Sequence, residues 1–347
     1  MSKQLDKIYD PKSVEERLYK FWEENGYFHM EADESKKPKE AEGPLGKEFD
    51  RVFTDPYLGK STWEAAESEL QRQALSMALR KADLTPDALQ CLFAGDLLNQ
   101  CIGSTGGLGG FEIPHAGIYG ACSTMALGLL LAACMVEGGI AQQAGAVTSS
   151  HFCASERQFR QPLEYGGQRP QTAGWTATAA GAVLVGTPPS GVCIRGGILG
   201  RLRQFGVTDA NNMGAAMAPA AADTILTFLQ ETGMSPTDFD MIATGDLGKV
   251  GSRLLRQIAE KEGVDLSLVH TDCGLNLYHT DKQDMHAGGS GCGCSAAVLC
   301  YRILRQLREG TLQRVLFVAT GSLHSPTSVQ QGMPITAIAH GVYLTAE

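Results

Sequence analysis

The apolar and polar positions of the chain follow two alternating patterns, one typical of buried strands and one typical of helices. Short apolar runs predict strands at 90–94, 144–148, 180–185, 240–244, 268–271, 314–320 and 335–344. Apolar residues at helical spacing predict helices over 11–27, 61–82, 224–232, 254–262 and 295–307. Strands that alternate with helices indicate a mixed, largely parallel sheet covered on both faces.

The chain also carries two copies of the same series of landmarks. An apolar run ends in a small residue followed by Gly-Asp-Leu at 94–97 and again at 244–247. The Gly-Ala-Cys-Ser sequence around Cys122 recurs as Gly-Cys-Ser around Cys294, and each copy opens a small-residue helix. Each helix is followed by a strand-like run that ends in Ser and His, at His151 and His324. The shared order predicts two related halves, with functional loops gathered at the interface between them.

Composition limits the classes of protein to which the chain can belong. Its 347 residues, 43% of them hydrophobic, are enough to bury a large core, and a net charge of −9 argues against nucleic-acid binding. The ten cysteines lie among helices and strands rather than in short loops, and the first ten residues lack the apolar core of a signal peptide. Reduced thiols in the cytosol are therefore expected. The spacing of Cys292 and Cys294 is too tight for an ordinary zinc site.

Residues 118–136 carry no formal charge and are long enough to span a membrane. The segment also contains Gly, Cys, Ser and Thr residues, and its counterpart in the second half is interrupted by Arg302 and Arg305. A helix that is apolar on every side also suits the centre of a large globular domain. We predict a buried helix and no transmembrane segment.

The most informative candidate for chemistry is Cys122, which is followed by Ser123 at the start of this helix. Amides at a helix N-terminus stabilise a thiolate and lower the pKa of the thiol, which produces either a nucleophile or an anion pocket. Free cysteine is also commonly a small buried hydrophobic residue. Both interpretations stay open on the local sequence.

Other polar candidates lie where strands are predicted to end. Asp96 and Asp246 follow duplicated strands, whose carboxyl ends are where ligand sites of α/β sheets gather, although for Asp96 we favour a role as a cap. His151 ends a strand and is more simply a structural residue. His340 lies inside an apolar strand, where a structural role is harder to assign.

Two loops supply further candidates. Arg157 and Arg160 could clamp carboxylates, or could form ion pairs within a solvated loop. The glycine-rich loop 288–293, with Gly289 and Cys292, could present amides to an anion or could simply allow close packing.

The motifs together resemble the thiolase superfamily and, more narrowly over residues 39–347, the family of sporulation stage V protein AD. The segments that carry the resemblance are AGDLLNQ (94–100), GACST (120–124), TSSH (148–151), ERQFR (156–160), EYGGQ (164–168), MAPAAADT (217–224), AGGSGC (287–292) and IAHGV (338–342). The resemblance implies a thiolase-like five-layer αβαβα fold of two duplicated halves, 39–189 and 190–347.

The resemblance also implies a function. It implies non-enzymatic binding of dipicolinic acid (pyridine-2,6-dicarboxylate) for uptake into the developing spore. It further implies membrane-embedded partners of the same transport system, a peripheral location on the cytoplasmic side of the forespore inner membrane, and a homodimer as one option. No cofactor is implied, although Ca²⁺ could accompany dipicolinate. The alternative is an active thiolase or 3-oxoacyl synthase-type acyltransferase with Cys122 as nucleophile.

The chain departs from the condensing enzymes where a base is needed. Such enzymes pair their Cys with His and Asn, or with His and a second Cys. Here the strand end that should offer His offers Asp246, the glycine-rich loop offers Cys292 and Cys294, and His340 takes the place of the second Cys. The resemblance therefore predicts a pocket without condensation chemistry.

We expect dipicolinate to bind in the cleft between the halves. The amides of 122–124 and 288–293 would donate hydrogen bonds to it, Arg157 or Arg160 would supply positive charge, and His151 or His340 a polar ring edge. Asp246 would repel the ligand unless it is protonated, paired with Arg, or bridged by Ca²⁺.

Residues 1–38 stand apart from this resemblance. KIYDPKSVEERLYKFWEENGYF (7–28) and DESKKP (33–38) resemble the N-terminus of a bacterial valyl-tRNA synthetase, and neither a HIGH-type motif nor KMSKS follows. Aminoacylation is not implied. We predict a foreign segment that displaces the first strand of the sporulation family and packs poorly, or fills the place of that edge strand imperfectly.

Overall fold

The computed structural model describes residues 11–27, 37–158, 168–187 and 191–347. Contacts group the chain into two compact units, Met1–Lys37 and Pro38–Glu347. The described part of the first unit is helix α1 (Pro11–Glu24), after which Tyr27 packs edge-on against Phe21 with ring centroids 5.7 Å apart. The helix predicted from the amphipathic pattern is therefore present, and it ends three residues earlier than predicted. The boundary between the two duplicated halves stays a prediction, because both lie within the second unit.

The second unit contains eleven further described helices and twelve described strands. The helices are α2 (Lys39–Glu42), α3 (Trp63–Lys81), α4 (Ile102–Leu108), α5 (Thr124–Glu137), α6 (Phe152–Glu156), α7 (Met213–Thr232), α8 (Gly248–Lys261), α9 (Cys273–Leu277), α10 (Cys292–Val298), α11 (Leu304–Arg308) and α12 (Pro326–Gln330). The strands are β1 (Cys91–Gly95), β2 (His115–Gly117), β3 (Gln143–Ser150), β4 (Trp175–Thr176), β5 (Ala179–Gly186), β6 (Val192–Ile198), β7 (Arg203–Gln204), β8 (Met241–Thr244), β9 (His270–Asp272), β10 (Gly289–Ser290), β11 (Arg314–Leu323) and β12 (Thr336–Ala346).

Two main sheets repeat one topology. The first has the order β2-β1-β3-β5, in which β1 runs parallel to β2 and β3, and β5 is antiparallel to β3. The second has the order β9-β8-β11-β12-β6, in which β8 runs parallel to β9 and β11, and β12 is antiparallel to β11. The duplication read from the sequence is thus visible strand by strand. The second sheet alone has two further strands, β6 and the short β7, both paired antiparallel with β12.

Helices separate and cover the two sheets. The central layer consists of α5 and α10, whose residues Met125, Leu129 and Val298 pack with Phe317 and Val342 of the second sheet in one core. Helix α3 covers the outer face of the first sheet, and α7 and α8 cover the outer face of the second. These layers form the predicted thiolase-like αβαβα fold.

Residues 124–136 of the uncharged segment lie in α5 (Thr124–Glu137), which is buried between the sheets, as predicted, while residues 118–123 precede the helix. In the described part of the chain, no helix is long and apolar enough to cross a membrane.

Three features differ from the sequence prediction. Helix α7 begins at Met213, eleven residues before the predicted start, and runs through Pro219, which the sequence pattern treats as a helix breaker. A turn of π-helix at Leu299–Ile303 separates α10 from α11. Strand β6 has no strong sequence signal, because two of its seven residues are glycine and one is arginine.

Candidate ligand-binding site

Cys122 lies at the start of α5, where the two halves meet. The preceding Ala121 has a left-handed backbone with φ of 50°, a conformation that is strained for a residue with a side chain. Strand β11 passes so close that a methyl group on Gly321 would lie 2.2 Å from the carbonyl oxygen of Gly120. The hydroxyl of Ser295, in α10, donates to the carbonyl oxygen of Cys122 at 3.5 Å. Both halves therefore fix the position of Cys122.

Asp246, which follows β8, is buried beside this thiol. One carboxylate oxygen accepts from the Thr320 hydroxyl at 2.8 Å. The other accepts from the Ser290 hydroxyl at 3.0 Å and from the Gly291 amide at 2.9 Å. The same carboxylate acts on the pKa of the nearby Cys122 thiol. Asp246 thus joins β11 and the glycine-rich loop next to Cys122, and its carboxylate accepts from three donors.

The pKa of Cys122 lies well above its usual value. Burial is the largest cause, and the Asp246 carboxylate and the Cys292 thiol add to it, while the Gly291 amide alone opposes them. Of the two interpretations that the sequence left open, the structure therefore favours the buried, neutral cysteine over a thiol whose pKa is lowered by the helix N-terminus. The amides of Ser123 and Thr124 already donate to the carbonyl oxygens of Gly120 and Ala121, so they are not aimed at the sulfur. The raised pKa keeps the Cys122 thiol neutral.

Cys292 is the second predicted residue that the structure brings to this site. Its thiol donates to the carbonyl oxygen of Ser149 at 2.9 Å. Burial, followed by the carboxyl groups of Glu67, Asp96 and Asp246, raises its pKa well above the usual value. Two protonated thiols and a carboxyl group therefore line the interface between the halves.

Most of the amides predicted to hold an anion already have acceptors in the protein. The amide of Ser123 donates to Gly120, that of Thr124 to Ala121, that of Gly288 to Met285, that of Gly291 to Asp246 and that of Gly293 to Ser150. The Ser123 hydroxyl likewise donates to Gly120, at 2.6 Å. The prediction that these amides face a ligand is wrong for the five amides named, because they already form hydrogen bonds within the folded loops.

Close packing explains the glycines of this loop. A methyl group on Gly289 would lie 3.0 Å from the Cys294 sulfur and 3.1 Å from the Tyr278 ring. Gly288 and Gly291 have φ of 117° and 97°, which residues with side chains rarely adopt. Gly289 itself pairs with Trp175 in the short sheet of β4 and β10.

The two candidate histidines have defined roles. His151 caps α6: its Nδ1 accepts from the Ala154 amide at 3.4 Å, and its Nε2 lies 2.8 Å from the Pro56 carbonyl oxygen. Because both ring nitrogens are used, His151 is structural. His340 is the strand partner of Ala319, a residue of the central core, and its Nδ1 accepts from the Gly200 amide at 3.1 Å. Burial lowers the pKa of His340 to about 4, so this ring is neutral.

The candidate arginines differ. Arg157 forms an ion pair with Glu64 in the first turn of α3 and lies 5.4 Å from the centre of the Trp63 ring. Arg160 lies outside the described residues. A cation that the sequence did not single out is Arg169, which stacks 4.6 Å over Trp175 and lies 3.5 Å from Glu156. Because Trp175 is the strand partner of Gly289, the Arg169 guanidinium lies close to the glycine-rich loop.

Sequence reasoning missed the buried carboxyl group of Glu67, in α3. It is fully buried and accepts from the Ser149 hydroxyl at 3.1 Å. Burial and the neighbouring Asp96 raise its pKa well above the usual value. Glu67 shares a four-residue spacing with Gln71, Leu75 and Leu79, all buried, so the helical pattern could have placed it on the inner face of α3.

The two Gly-Asp copies have diverged. Asp96 accepts from the amides of Leu98 and Ser104, at 2.9 and 2.7 Å, and thereby orders the turn before α4, which agrees with the capping role favoured for it. In the second half, Asp272 takes the capping role by accepting from the amides of Leu247 and Gly248. The Asp246 carboxylate instead accepts hydrogen bonds at the interface between the halves. Within the described residues, no group of three or more His, Cys, Asp or Glu side chains is arranged to hold a metal ion.

The fold and this interface define a thiolase-like protein. Similar solved structures include 3-oxoacyl-[acyl-carrier-protein] synthase III from Aquifex aeolicus, with a TM-score of 0.51 and 15% identity over 80% of this chain and 84% of that one. OleA from Xanthomonas campestris has a TM-score of 0.52 and 16% identity over 80% of each chain. At these identities the likeness concerns the fold alone.

The chain belongs to the Stage V sporulation protein AD family, whose model matches residues 28–345. The protein of that name from Bacillus subtilis is 44% identical over 319 residues, which cover 92% of this chain and 94% of the relative. A separate, short likeness joins the chain to valine–tRNA ligases. The enzyme from Clostridium tetani is 59% identical over 34 residues, which are 10% of this chain and 4% of that enzyme. The two resemblances identified in the sequence are therefore confirmed.

Proposed function

We propose that this sporulation protein binds dipicolinate without transforming it, at the interface around Cys122, and that it takes part in loading dipicolinate into the developing spore. The observation that carries the proposal is the burial of the Cys122 thiol next to a carboxyl group, that of Asp246, where a condensing enzyme needs a base. A condensing enzyme needs a base that takes a proton from its cysteine. Burial and the neighbouring carboxylate raise the pKa of this thiol, which keeps the proton on sulfur, so Cys122 is not an activated nucleophile.

The charge of the interface favours the calcium complex as the bound form. Glu67, Asp96, Asp246 and Asp272 are all at most 4% exposed, and burial raises the pKa of each. A free dianion would meet these carboxyl groups across a medium of low dielectric constant. Dipicolinate with one Ca²⁺ is neutral and avoids that repulsion. In this proposal Ca²⁺ arrives with the ligand and is not a resident cofactor.

Calorimetry tests the proposal directly. Dipicolinate is titrated into the protein with Ca²⁺ and with EDTA, and isophthalate, which has the same two carboxylates without the ring nitrogen, serves as the matched control. We expect saturable binding of dipicolinate, tighter with Ca²⁺, and none of isophthalate. Equal binding of both compounds, or of neither, would contradict the proposal.

Acyl transfer is the second candidate, and the strained backbone of Ala121 before Cys122 favours it. Strain of this kind is often stored at functional sites. Intact-mass measurement after incubation with acetyl-CoA and malonyl-CoA separates the two functions. An acyl group on Cys122 would support the transferase, and its absence together with dipicolinate binding would support the binding protein.

The cellular setting is part of the proposal. Family membership supports a role in sporulation, and transport of dipicolinate across the forespore membrane requires membrane-embedded proteins. We propose that the chain docks on such partners from the cytoplasmic side as a peripheral protein, as a monomer or homodimer. Recovery of the tagged protein in the membrane fraction of sporulating cells, and its release when those partners are deleted, tests this placement.

A further inference from the structure

The first residues of the second unit are fixed against helix α9 and the residues that follow it. The Gln283 side chain donates to the carbonyl oxygen of Lys39 at 2.8 Å, and a methyl group on Gly43 would lie 2.1 Å from the carbonyl oxygen of Leu277. Leu45 is fully buried in the central core. This segment is therefore an integral part of the fold, although none of the sequence motifs lies in it.

Glu40, in α2, is a further buried carboxyl group, with 9% of the residue exposed. One of its oxygens, Oε1, accepts from the Tyr278 hydroxyl at 2.7 Å and from the Thr178 amide at 2.8 Å. Burial is the largest effect on the pKa of Glu40 and raises it, while both hydrogen bonds oppose the rise. Because burying a carboxyl group is costly without such bonds, the position of Glu40 depends on both partners.

Thr178 follows β4, the strand that pairs with β10 in the glycine-rich loop. The Ala177 amide continues this pairing by donating to the carbonyl oxygen of Ser290 at 2.9 Å. The next amide, that of Thr178, donates to Glu40 instead. Glu40 therefore holds this segment directly beside the residue that pairs with the loop.

The Tyr278 ring packs directly against the glycine-rich loop. A methyl group on Gly289 would lie 3.1 Å from this ring, so the loop backbone is in close contact with it. The two residues after Gly289 supply donors to Asp246, the Ser290 hydroxyl at 3.0 Å and the Gly291 amide at 2.9 Å. The ring therefore borders the part of the loop that binds the buried carboxylate.

We propose that Glu40 is a positioning residue of the site around Cys122. A site keeps its geometry only if the residues around it are themselves held in place. The bonds of Glu40 to Thr178 and Tyr278 fix the glycine-rich loop, which keeps the two loop donors at hydrogen-bond distance from Asp246. Glu40 itself touches no ligand in this arrangement. This role rests on the proposed function, in which dipicolinate binds at this interface.

Matched variants separate the two hydrogen bonds of Glu40 from its charge, because both bonds end on one oxygen. Glu40→Gln retains an oxygen that can accept from both donors, whereas Glu40→Ala removes both bonds. Tyr278→Phe removes one bond and keeps the ring. The control is Leu229→Ala, which leaves a cavity in the separate core that covers the outer face of the second sheet.

Hydrogen exchange and calorimetry on the intact chain measure the effect. In Glu40→Ala we expect the amides of 288–293 to exchange at least about tenfold faster than in the wild-type protein, because the loop opens more often. Dipicolinate with Ca²⁺ should bind to this variant at least about tenfold more weakly. Glu40→Gln should match the wild-type protein in both measurements, Tyr278→Phe should lie between Glu40→Gln and Glu40→Ala, and Leu229→Ala should change neither.

Several outcomes would overturn the positioning role. Unchanged exchange in Glu40→Ala, or a change of the same size in Leu229→Ala, would show that the loop does not depend on this carboxyl group in particular. Equal effects of Glu40→Gln and Glu40→Ala would show that the two hydrogen bonds are not the cause. Faster exchange with unchanged dipicolinate affinity would show that the loop is not part of the binding site. If the wild-type protein does not bind dipicolinate, the proposed function fails instead, and the exchange rates still decide whether Glu40 fixes the loop.

Discussion

The Cys122 thiol is buried near the Asp246 carboxyl group, and both residues are at most 5% exposed. This pair decides the chemistry of the interface, because a thiol beside a buried carboxylate is harder to ionise than a thiol in water. Burial and this neighbouring charge therefore both favour the neutral form of the Cys122 thiol.

The reactivity of Cys122 should follow from this pair. At pH 8 we expect slow alkylation of Cys122 by iodoacetamide and fast alkylation of the exposed Cys134 in the same sample. Asp246→Asn removes the charge and should speed alkylation of Cys122 at least about tenfold, which corresponds to one pKa unit. Peptide mass spectrometry over time measures both sites. Labelling of wild-type Cys122 as fast as Cys134 would contradict the assignment of a raised pKa.

The two candidate arginines should differ in ligand binding. Arg157 already has Glu64 as a partner, so Arg157→Ala should leave dipicolinate affinity unchanged and serves as the control. Arg160→Ala should weaken binding by about 1.5–3 kcal/mol if its guanidinium contacts a ligand carboxylate. Calorimetry with both variants measures the difference. Unchanged affinity in both variants would remove this loop from the site.

Stability should depend on pH through Asp272. Burial raises its pKa from 3.8 to about 6. The folded chain therefore holds this proton more tightly than the unfolded chain does, so the stabilisation is complete below pH 3.8 and is lost as pH rises through about 6. Between those limits the free energy of unfolding should fall by on the order of 3 kcal/mol relative to Asp272→Asn.

Urea denaturation at pH 4, 5, 6 and 7 measures this change. The matched control is Asp265→Asn, because Asp265 is an exposed aspartate whose pKa is lowered by hydrogen bonds from Ser267. The free energies of unfolding of Asp265→Asn and of the wild-type protein should approach each other only as pH falls towards 4. If the free energies of unfolding of the wild-type protein and of Asp272→Asn differ by the same amount from pH 4 to pH 7, the pKa of Asp272 is not raised.

Removal of residues 1–37 should change the stability of the remaining chain by less than about 1 kcal/mol, because contacts place these residues in a unit of their own. Comparison of urea midpoints for the full and shortened chains measures the change. A loss of several kcal/mol would show instead that the segment is an integral part of the fold.

The sequence by itself determined the architecture. Local apolar runs predict the buried strands and the central helix. The repeated Gly-Asp and Cys-Ser sequences indicate the duplication. Both kinds of signal lie in residues that are neighbours in the chain. It also separated the first 38 residues from the rest. Helix α7 shows the limit: packing against β12 and α8 holds a helix through Pro219, which local propensity opposes.

Only the tertiary structure decided the chemistry of the site. The pKa of Cys122 depends on Asp246, which is distant in sequence, and on burial, and neither effect is visible in the residues that flank the cysteine. The sequence likewise does not show which loop amides have hydrogen-bond acceptors, and in the folded chain several of them donate to other parts of the protein. Charge and hydrogen bonding act through space, so residues far apart in the chain set the protonation state that local sequence cannot.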